Sequence, residues 1–321
     1  MKRVGVLMGG PSCEHDISIK SGTAVCKALK DSGIKTVPLE LVKSSTMNGY
    51  RGHVAETIRS SDIDLAFIAL HGEFGEDGCV QEVLESLKIP YTGSRIKASK
   101  LGMDKVKSKA IFELNNIPTP RYRVIDQLGK ADPCQIKAWQ DSALPSLIKE
   151  LGLPFVIKPS DEGSSIGLSI IESEAEFTDA FNRALEYSDK VIIEEYAEGR
   201  EVTVGILEDK ALPVVEIMPL KRFFDFEAKY EKGMTEYNVP ADIDSAAYAA
   251  CQKIALEAHK AIGARFFSRV DMVLGKYNNP TVLEVNTIPG LTETSLLPKA
   301  AQAAGINFIQ LVFKILESVS W

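Results

Sequence analysis

Residues 265–286 read Arg265-Phe266-Phe267-Ser268-Arg269-Val270-Asp271-Met272-Val273-Leu274-Gly275-Lys276-Tyr277-Asn278-Asn279-Pro280-Thr281-Val282-Leu283-Glu284-Val285-Asn286. Two runs of strand-forming residues flank the turn signal Asn278-Asn279-Pro280, which predicts an antiparallel hairpin with strands at 265–274 and 281–286. Side chains alternate along a strand, so Arg269 and Asp271 share one face, as do Glu284 and Asn286. Val270, Met272, Leu283 and Val285 are then expected to fill the opposite face as core. Asp271, Glu284 and Asn286 offer three oxygen ligands, the donor type that a hard cation such as Mg²⁺ takes together with substrate phosphates. Arg269 beside them suits a phosphate or a developing oxyanion. A structural ion-pair cluster on a solvated sheet face would use the same residues.

Upstream, Val156-Ile157-Lys158-Pro159 ends a short strand ahead of the turn-rich loop Ser160-Asp161-Glu162-Gly163-Ser164-Ser165. Lys158 can place its ammonium on phosphate oxygens while the N–H groups of Gly163, Ser164 and Ser165 cover them. A lysine snorkelling at a strand end is the simpler alternative. Gly163, Ser165 and Gly167 also match G-x-S-x-G, but a nucleophile elbow needs a helix straight after its serine. Leu168-Ser169-Ile170-Ile171 reads as a strand, and the only later histidine, His259, falls in an Ala-rich helix predicted over 245–262. A serine hydrolase fits poorly. Strand–loop–strand–helix–strand, with a helix over 174–187 and a strand over 190–195, is an α+β pattern. Strands at 201–207 and 212–218 follow. Residues 219–240 form a long polar loop carrying Phe223, Phe224, Phe226, Tyr230 and Tyr237, too aromatic for simple disorder and read as a lid.

The first ninety-odd residues differ. Apolar runs at Val4–Met8 and Leu65–Leu70 alternate with helical patterns at 17–30 and 80–87, which predicts a parallel α/β sheet. A boundary falls near Gly93, and one helix is expected over 98–115, ended by Pro118 and Pro120. Ligands of open α/β sheets bind at the carboxyl ends of the strands, where the loops Gly9–His15 and His71–Gly78 should lie. Glu14 there could hold a substrate ammonium and His71 a carboxylate. Helix capping by Glu14 or Asp16, and a loop hydrogen bond from His71, are the plain alternatives. The first loop is not G-x-G-x-x-G, so a dinucleotide site is unsupported.

With 37 Lys and Arg against 44 Asp and Glu, the formal charge is −7, and no broad positive field marks a nucleic-acid binder. No apolar run approaches the roughly 18 residues of a membrane span, and the N-terminal run is too short for a signal peptide. Five scattered cysteines form no CxxC, so neither a disulfide framework nor a zinc site is expected. A cytoplasmic protein is the expectation.

In chain order, Gly9-Gly10, Ser12, Glu14–Ser18, Ala69–Gly72, Gly75–Gly78, Pro90–Ser94, Met103-Asp104-Lys105, Ile157–Gly167, Glu227–Tyr230, Arg269–Asp271, Glu284–Thr287 and Pro289-Gly290 resemble the D-alanine–D-alanine ligases. The fragments are individually unspecific; their order, from residue 4 to about 299, is specific. The resemblance implies α/β and α+β architecture: a three-domain ATP-grasp fold with an N-terminal parallel α/β domain (1–93), a central domain (94–195) and a C-terminal domain (196–321) with the lid 219–240. It implies ATP-dependent joining of two D-alanines through an acyl phosphate, for peptidoglycan precursors. Lys105, Lys158 and Ser165 would meet ATP phosphates and Lys229 the γ-phosphate. Glu194, Glu195 and Tyr196 would meet adenine and Glu201 the ribose. Asp271, Glu284 and Asn286 would hold two Mg²⁺ or Mn²⁺ ions, and a monovalent cation is a further cofactor to consider. Glu14 would take the first D-alanine's ammonium, linked to Ser164 and Tyr230, with His71 near its carboxylate. Arg269 and the Gly290 N–H would stabilise the oxyanion, and Ser295 and Leu296 would receive the second carboxylate. A tyrosine at 230 accompanies D-alanine acceptors, whereas relatives using D-lactate differ in that loop. Pro11 and Ser268 depart from the usual pattern. A homodimer is implied, with neither nucleic acid nor membrane as partner. Another ATP-grasp carboxylate–amine ligase, or a nucleotide-binding protein without turnover, are the alternatives.

Overall fold

The computed structural model of the protein describes residues 3–43, 49–126, 133–219 and 235–319. Its first unit is built from β1 (Arg3–Gly9), α1 (His15–Asp31), β2 (Lys35–Leu41), α2 (Tyr50–Ser60), β3 (Leu65–Ile68) and α3 (Cys79–Ser86). The strands pair in parallel in the order β2-β1-β3, as the apolar runs alternating with helices predict. Both loops expected to face a ligand, Gly9–His15 and His71–Gly78, leave the carboxyl ends of β1 and β3. Gly9 makes the first exit at φ 84°, where a Cβ would lie 2.6 Å from the Leu41 carbonyl.

The helix expected over 98–115 is two helices, α4 (Ile96–Met103) and α5 (Lys105–Leu114). Asp104 divides them: its backbone is extended (φ −81°, ψ 99°), and its carboxylate accepts the Lys107 N–H at 3.0 Å. A side chain that satisfies an orphan N–H starts a new helix where periodicity alone would continue the old one. Lys105 thereby becomes the first residue of α5.

Next come β4 (Tyr122–Ile125), α6 (Pro133–Leu151), β5 (Phe155–Pro159), β6 (Ser169–Ile171), α7 (Phe177–Leu185) and β7 (Val191–Glu195). These strands form an antiparallel sheet ordered β4-β7-β5-β6. A larger antiparallel sheet, β10-β9-β8-β11-β12, joins β8 (Arg200–Leu207), β9 (Lys210–Pro219), β10 (Thr235–Asn238), β11 (Phe267–Leu274) and β12 (Pro280–Asn286). The loop expected over 219–240 is therefore a strand at 235–238, where β10 finds an edge on β9; residues 220–234 lie outside the described residues.

The larger sheet has a core on each face. Val204, Val270 and Val285 pack with Ala255 and Ala258 of α8 (Ser245–Ala261) and with Phe112 of α5. Leu207 and Val215 pack with Leu297 of α9 (Leu296–Ala303), with Leu311 and Ile315 of α10 (Phe308–Glu317), and with Val4, Val6 and Phe67 of the first sheet. The C-terminal helices thus bind the first unit to the last, which carries its loops to the carboxyl-end loops of β1 and β3.

Candidate active site

The hairpin forms as expected, with one correction. Asp271 pairs with Glu284, but Met272 pairs with Val282, so Leu283 is the extra residue of a β-bulge. The bulge reverses the alternation beyond it: Val282, fully buried, joins Val270, Met272 and Val285 in the core. Leu283, expected as core, instead lines a cavity of about 320 Å³. Glu284 stays level with Asp271, and Asn286 with Arg269.

That cavity lies between the two antiparallel sheets, lined by Lys158, Ser165, Glu195, Tyr196, Glu201 and Asp271 among others. A second cavity, of about 980 Å³, is lined by Glu14, His71, Ser164, Arg269, Gly290 and Ser295, with Asn286 and Leu296 also on its wall. The two share Lys105, Gly163 and Glu284. A long ligand in one cavity would therefore present its end to a small ligand in the other across those residues.

Charge converges on the shared wall. Arg269 grips Asp271 through two hydrogen bonds, Nε to Oδ1 at 2.8 Å and Nη2 to Oδ2 at 2.6 Å, and Thr203 donates to Oδ1 at 2.6 Å. Lys105 Nζ lies 3.5 Å from Glu284 Oε2 and donates to the Glu162 carbonyl. Asn286 Oδ1 accepts the Ile288 N–H at 3.0 Å, turning the chain toward Gly290. Among the described residues no cluster of three His, Cys, Asp or Glu side chains is gathered for a metal. Two carboxylates and one amide oxygen on a single hairpin face nevertheless fit a hard divalent ion that takes phosphate and water as its remaining ligands.

The loop after β5 carries Ser164 at φ 49° and Ser165 at φ 61°. Consecutive left-handed residues are strained for side chains with a Cβ and are found where a site needs them. Here the turn aims the Ser164 hydroxyl at Glu14, to which it donates, while Ser165 lines the smaller cavity. Glu14 precedes α1 without capping it, which removes the plain alternative for that residue. Its own N–H is held by Ser12 Oγ at 3.2 Å.

His71 is buried behind Glu14. Nδ1 lies 3.1 Å from the Ile288 carbonyl and so must donate, while Nε2 lies 2.9 Å from Ser21 Oγ. Ser21 Oγ also accepts the Leu291 N–H at 3.3 Å, tying α1, the His71 loop and the Gly290 loop together. Burial opposes charge on His71, but hydrogen bonding to Glu76 and the fields of Glu76 and Glu14 outweigh it and raise its pKa. Burial pushes the Glu76 carboxyl up to about 7, against the pull of His71. In the neighbouring loop, burial with Asp161 and Glu73 pushes Glu162 up to about 7.

Ser295 Oγ lies 2.7 Å from Thr292 Oγ1 and accepts the Thr292 N–H at 3.1 Å, at the start of α9. Glu195 is engaged by Arg121, Nε to Oε2 at 2.6 Å. Lys229 and Tyr230 lie outside the described residues.

Family models described as "D-ala D-ala ligase N-terminus" and "D-ala D-ala ligase C-terminus" match residues 42–94 and 111–317. The D-alanine–D-alanine ligase of Geotalea uraniireducens is 41% identical over 319 residues, covering 99% of this chain and 96% of the relative. The chain belongs to the D-alanine–D-alanine ligase family. That of Trichlorobacter lovleyi is 42% identical over 315 residues, with 98% of this chain and 94% of the relative covered. Among solved structures, the Bacillus anthracis ligase complexed with ATP superposes with a TM-score of 0.81 at 33% identity, covering 99% of this chain and 97% of that one. The VanG D-Ala:D-Ser ligase of Enterococcus faecalis gives 0.80 at 26% identity, covering 99% of each chain. The fold is thus the ATP-grasp fold of these ligases, preceded by a parallel α/β unit.

For a member of this family, the sequence reading passed over several residues that structure the site. Ser21 and Thr203 carry no motif signal, because single hydroxyls become legible only through their partners, and Ser12 lay inside a quoted motif without a role. Glu76 lay inside a quoted motif without a role. Lys109, five residues before the end of α5, was given no role and is fully buried.

Proposed function

We propose that this protein is an ATP-dependent ligase that joins two D-alanines into D-alanyl-D-alanine through an acyl phosphate, supplying peptidoglycan precursors. The observation that carries the reading is the pair of cavities meeting at Lys105, Gly163 and Glu284, with Arg269 and Asp271 at the junction. ATP occupies the smaller cavity: Lys105, Lys158 and Ser165 take its phosphates, the Glu194–Tyr196 segment meets adenine and Glu201 the ribose. The first D-alanine lies in the larger cavity with its ammonium on Glu14, itself oriented by Ser164, and its carboxylate facing His71 and the γ-phosphate.

Asp271, Glu284 and Asn286 would hold Mg²⁺ or Mn²⁺, which when bound would supply charge neutralisation for the transferring phosphoryl group. The carboxylate oxygen takes the γ-phosphoryl group, and ADP leaves. The second amine then attacks the acyl carbon with its carboxylate on Ser295 and Leu296, and phosphate departs. Arg269 and the Gly290 N–H stabilise the oxyanion of that step. An acyl phosphate hydrolyses readily, so a lid that excludes water has a purpose; of the lid read over 219–240, residues 235–238 are strand, and the rest of that reading, with Lys229 and Tyr230, falls on residues 220–234, outside the described residues. We assign the units 1–93, 94–195 and 196–321, a homodimeric assembly, a cytoplasmic setting and a monovalent cation as further activator to the same reading. No helix among the described residues is long and apolar enough to cross a membrane.

The test is phosphate release from MgATP with D-alanine, with L-alanine and with no amino acid, the product being identified by mass. D-alanine-dependent release yielding the dipeptide is expected. Release only with other amino acids would sink the cell-wall role, and no release with ATP still bound would sink turnover itself. D-lactate and D-serine offered as acceptors test Tyr230: Tyr230→Phe should raise the share of D-lactate product, and unchanged partitioning would remove Tyr230 from acceptor selection.

A further inference from the structure

Lys109 is a fully buried lysine one helical turn beyond Lys105 on α5. Its Nζ lies 2.8 Å from Glu194 Oε2, 2.9 Å from Thr119 Oγ1 and 3.1 Å from the Pro120 carbonyl, above the Tyr122 ring at 5.0 Å. Its ammonium, with three N–H donors, donates to Thr119 and Pro120 and forms an ion pair with Glu194. Lys109 therefore spends its charge on the protein and lines neither cavity. The other carboxylate oxygen of Glu194 holds Lys158, which does line the smaller cavity. One buried carboxylate thus lies between two lysines, one sealed in the core and one facing the ligand space.

We propose that Lys109 is a positioning residue for nucleotide binding: it is the fixed counter-ion of Glu194, and it lets Lys158 exchange from that carboxylate onto a phosphate oxygen. The inference rests on the reading that the smaller cavity takes ATP. A buried carboxylate stripped of its only cation is strongly disfavoured. Were Lys158 the sole partner of Glu194, reaching for phosphate would leave that charge bare, and the lysine would be tethered. With Lys109 in place the carboxylate keeps a cation in both states. Burial opposes ionisation of Glu194, yet Lys158 and Lys109 together hold its carboxyl below the ordinary value. Burial lowers the pKa of Lys109, and Glu194 offsets part of that. The Glu194 side chain, engaged on both oxygens, then acts on the lysines and leaves adenine to the backbone of its segment.

The distinguishing consequence is a rescue. Lys109→Met should tether Lys158, and neutralising the tether by Glu194→Gln in the same chain should release it. The experiment is calorimetric titration of MgADP and of a non-hydrolysable MgATP analogue into wild type, Lys109→Met, Glu194→Gln and the double variant, with KM values for ATP and D-alanine. Lys109→Met should weaken nucleotide binding about tenfold or more and raise KM for ATP, leaving KM for D-alanine unchanged. The double variant should return to within about threefold of wild type. Unchanged binding by Lys109→Met, or a double variant no better than the single one, would overturn the inference. Should Lys109→Met fail to fold, the comparison passes to Glu194→Gln against the double variant, where losing Lys109 should cost less than about twofold and a tenfold loss overturns the inference. Wild type that binds neither nucleotide overturns the ligase reading as well; wild type that binds, with variants unaffected, overturns this inference alone.

Discussion

Glu284 belongs to both cavities, opposite Asp271 on the strand pair and 3.5 Å from the Lys105 ammonium. It is partly exposed and contributes little to the core, so its charge can be removed without a packing penalty. Glu284→Gln should lower D-alanine-dependent phosphate release by at least about a hundredfold while the melting temperature stays within a few degrees; full activity would dismiss the metal assignment. Ser164 makes a different kind of contact, a hydroxyl donated to the Glu14 carboxylate. A hydrogen bond to a charged group contributes about 1.5–3 kcal/mol. Ser164→Ala should therefore raise KM for D-alanine roughly tenfold or more and leave KM for ATP alone, which initial-rate kinetics with each substrate varied in turn would check. An equal rise in both constants would mean the loop had moved as a whole.

The β11–β12 hairpin shows what one inserted residue does to an element. Before the bulge, alternation assigns Leu283 to the core and Val282 to the opposite face; after it, the two exchange places. The consequence is measurable in stability. Val282→Ala, in a fully buried position, should cost about 2 kcal/mol of unfolding free energy. Leu283→Ala, the larger truncation by volume, should cost under about 1 kcal/mol but raise KM for ATP a fewfold, since its side chain lines the smaller cavity. Denaturant titration of the two variants decides, and the reverse order would place the bulge elsewhere. The other strand of the hairpin, β11, is anchored from behind. His259 on α8 lies 2.7 Å from Ser268 Oγ through Nδ1 and 3.1 Å from Asp209 Oδ1 through Nε2. This Ser–His–Asp chain is no hydrolase site, for Ser268 is fully buried and lines neither cavity. It fixes β11 one residue before Arg269, so Ser268, which departs from the usual pattern, has a partner that uses its hydroxyl.

At the scale of the molecule, the larger cavity is closed by contacts between the first and last units. His71 donates to the Ile288 carbonyl, and Ser21 joins His71 to the Leu291 N–H. Glu76 lies within 3.6 Å of His71 at this junction. Its carboxyl is raised from 4.5 to about 7 on folding, chiefly by burial. A carboxyl with a raised pKa stabilises the fold fully below its unfolded value and loses that contribution as pH climbs through the folded one. His71, also raised, works in the same direction above its ordinary value. Glu76→Gln should therefore match wild type near pH 4.5 and melt higher than wild type at about pH 8. Thermal melts at the two pH values check it, and a variant less stable than wild type at the higher pH would refute the assignment.

Much of this was legible in the chain alone. Apolar runs alternating with amphipathic segments determined the parallel first sheet, because only strands buried on both faces read so. The turn at Asn278–Pro280 determined the hairpin that sets Arg269, Asp271, Glu284 and Asn286 on one face. The ordered motifs determined the family, since no local pattern had to be right by itself. Tertiary structure decided the rest. Asp104 divided a helix because its side chain found the Lys107 N–H, and Leu283 left the core because a bulge shifted the pairing. Lys109 became a buried counter-ion because Glu194 and Pro120 closed around it. Periodicity records which side chains avoid water; it does not record which of two partners a charge or a hydroxyl finds once the chain has folded.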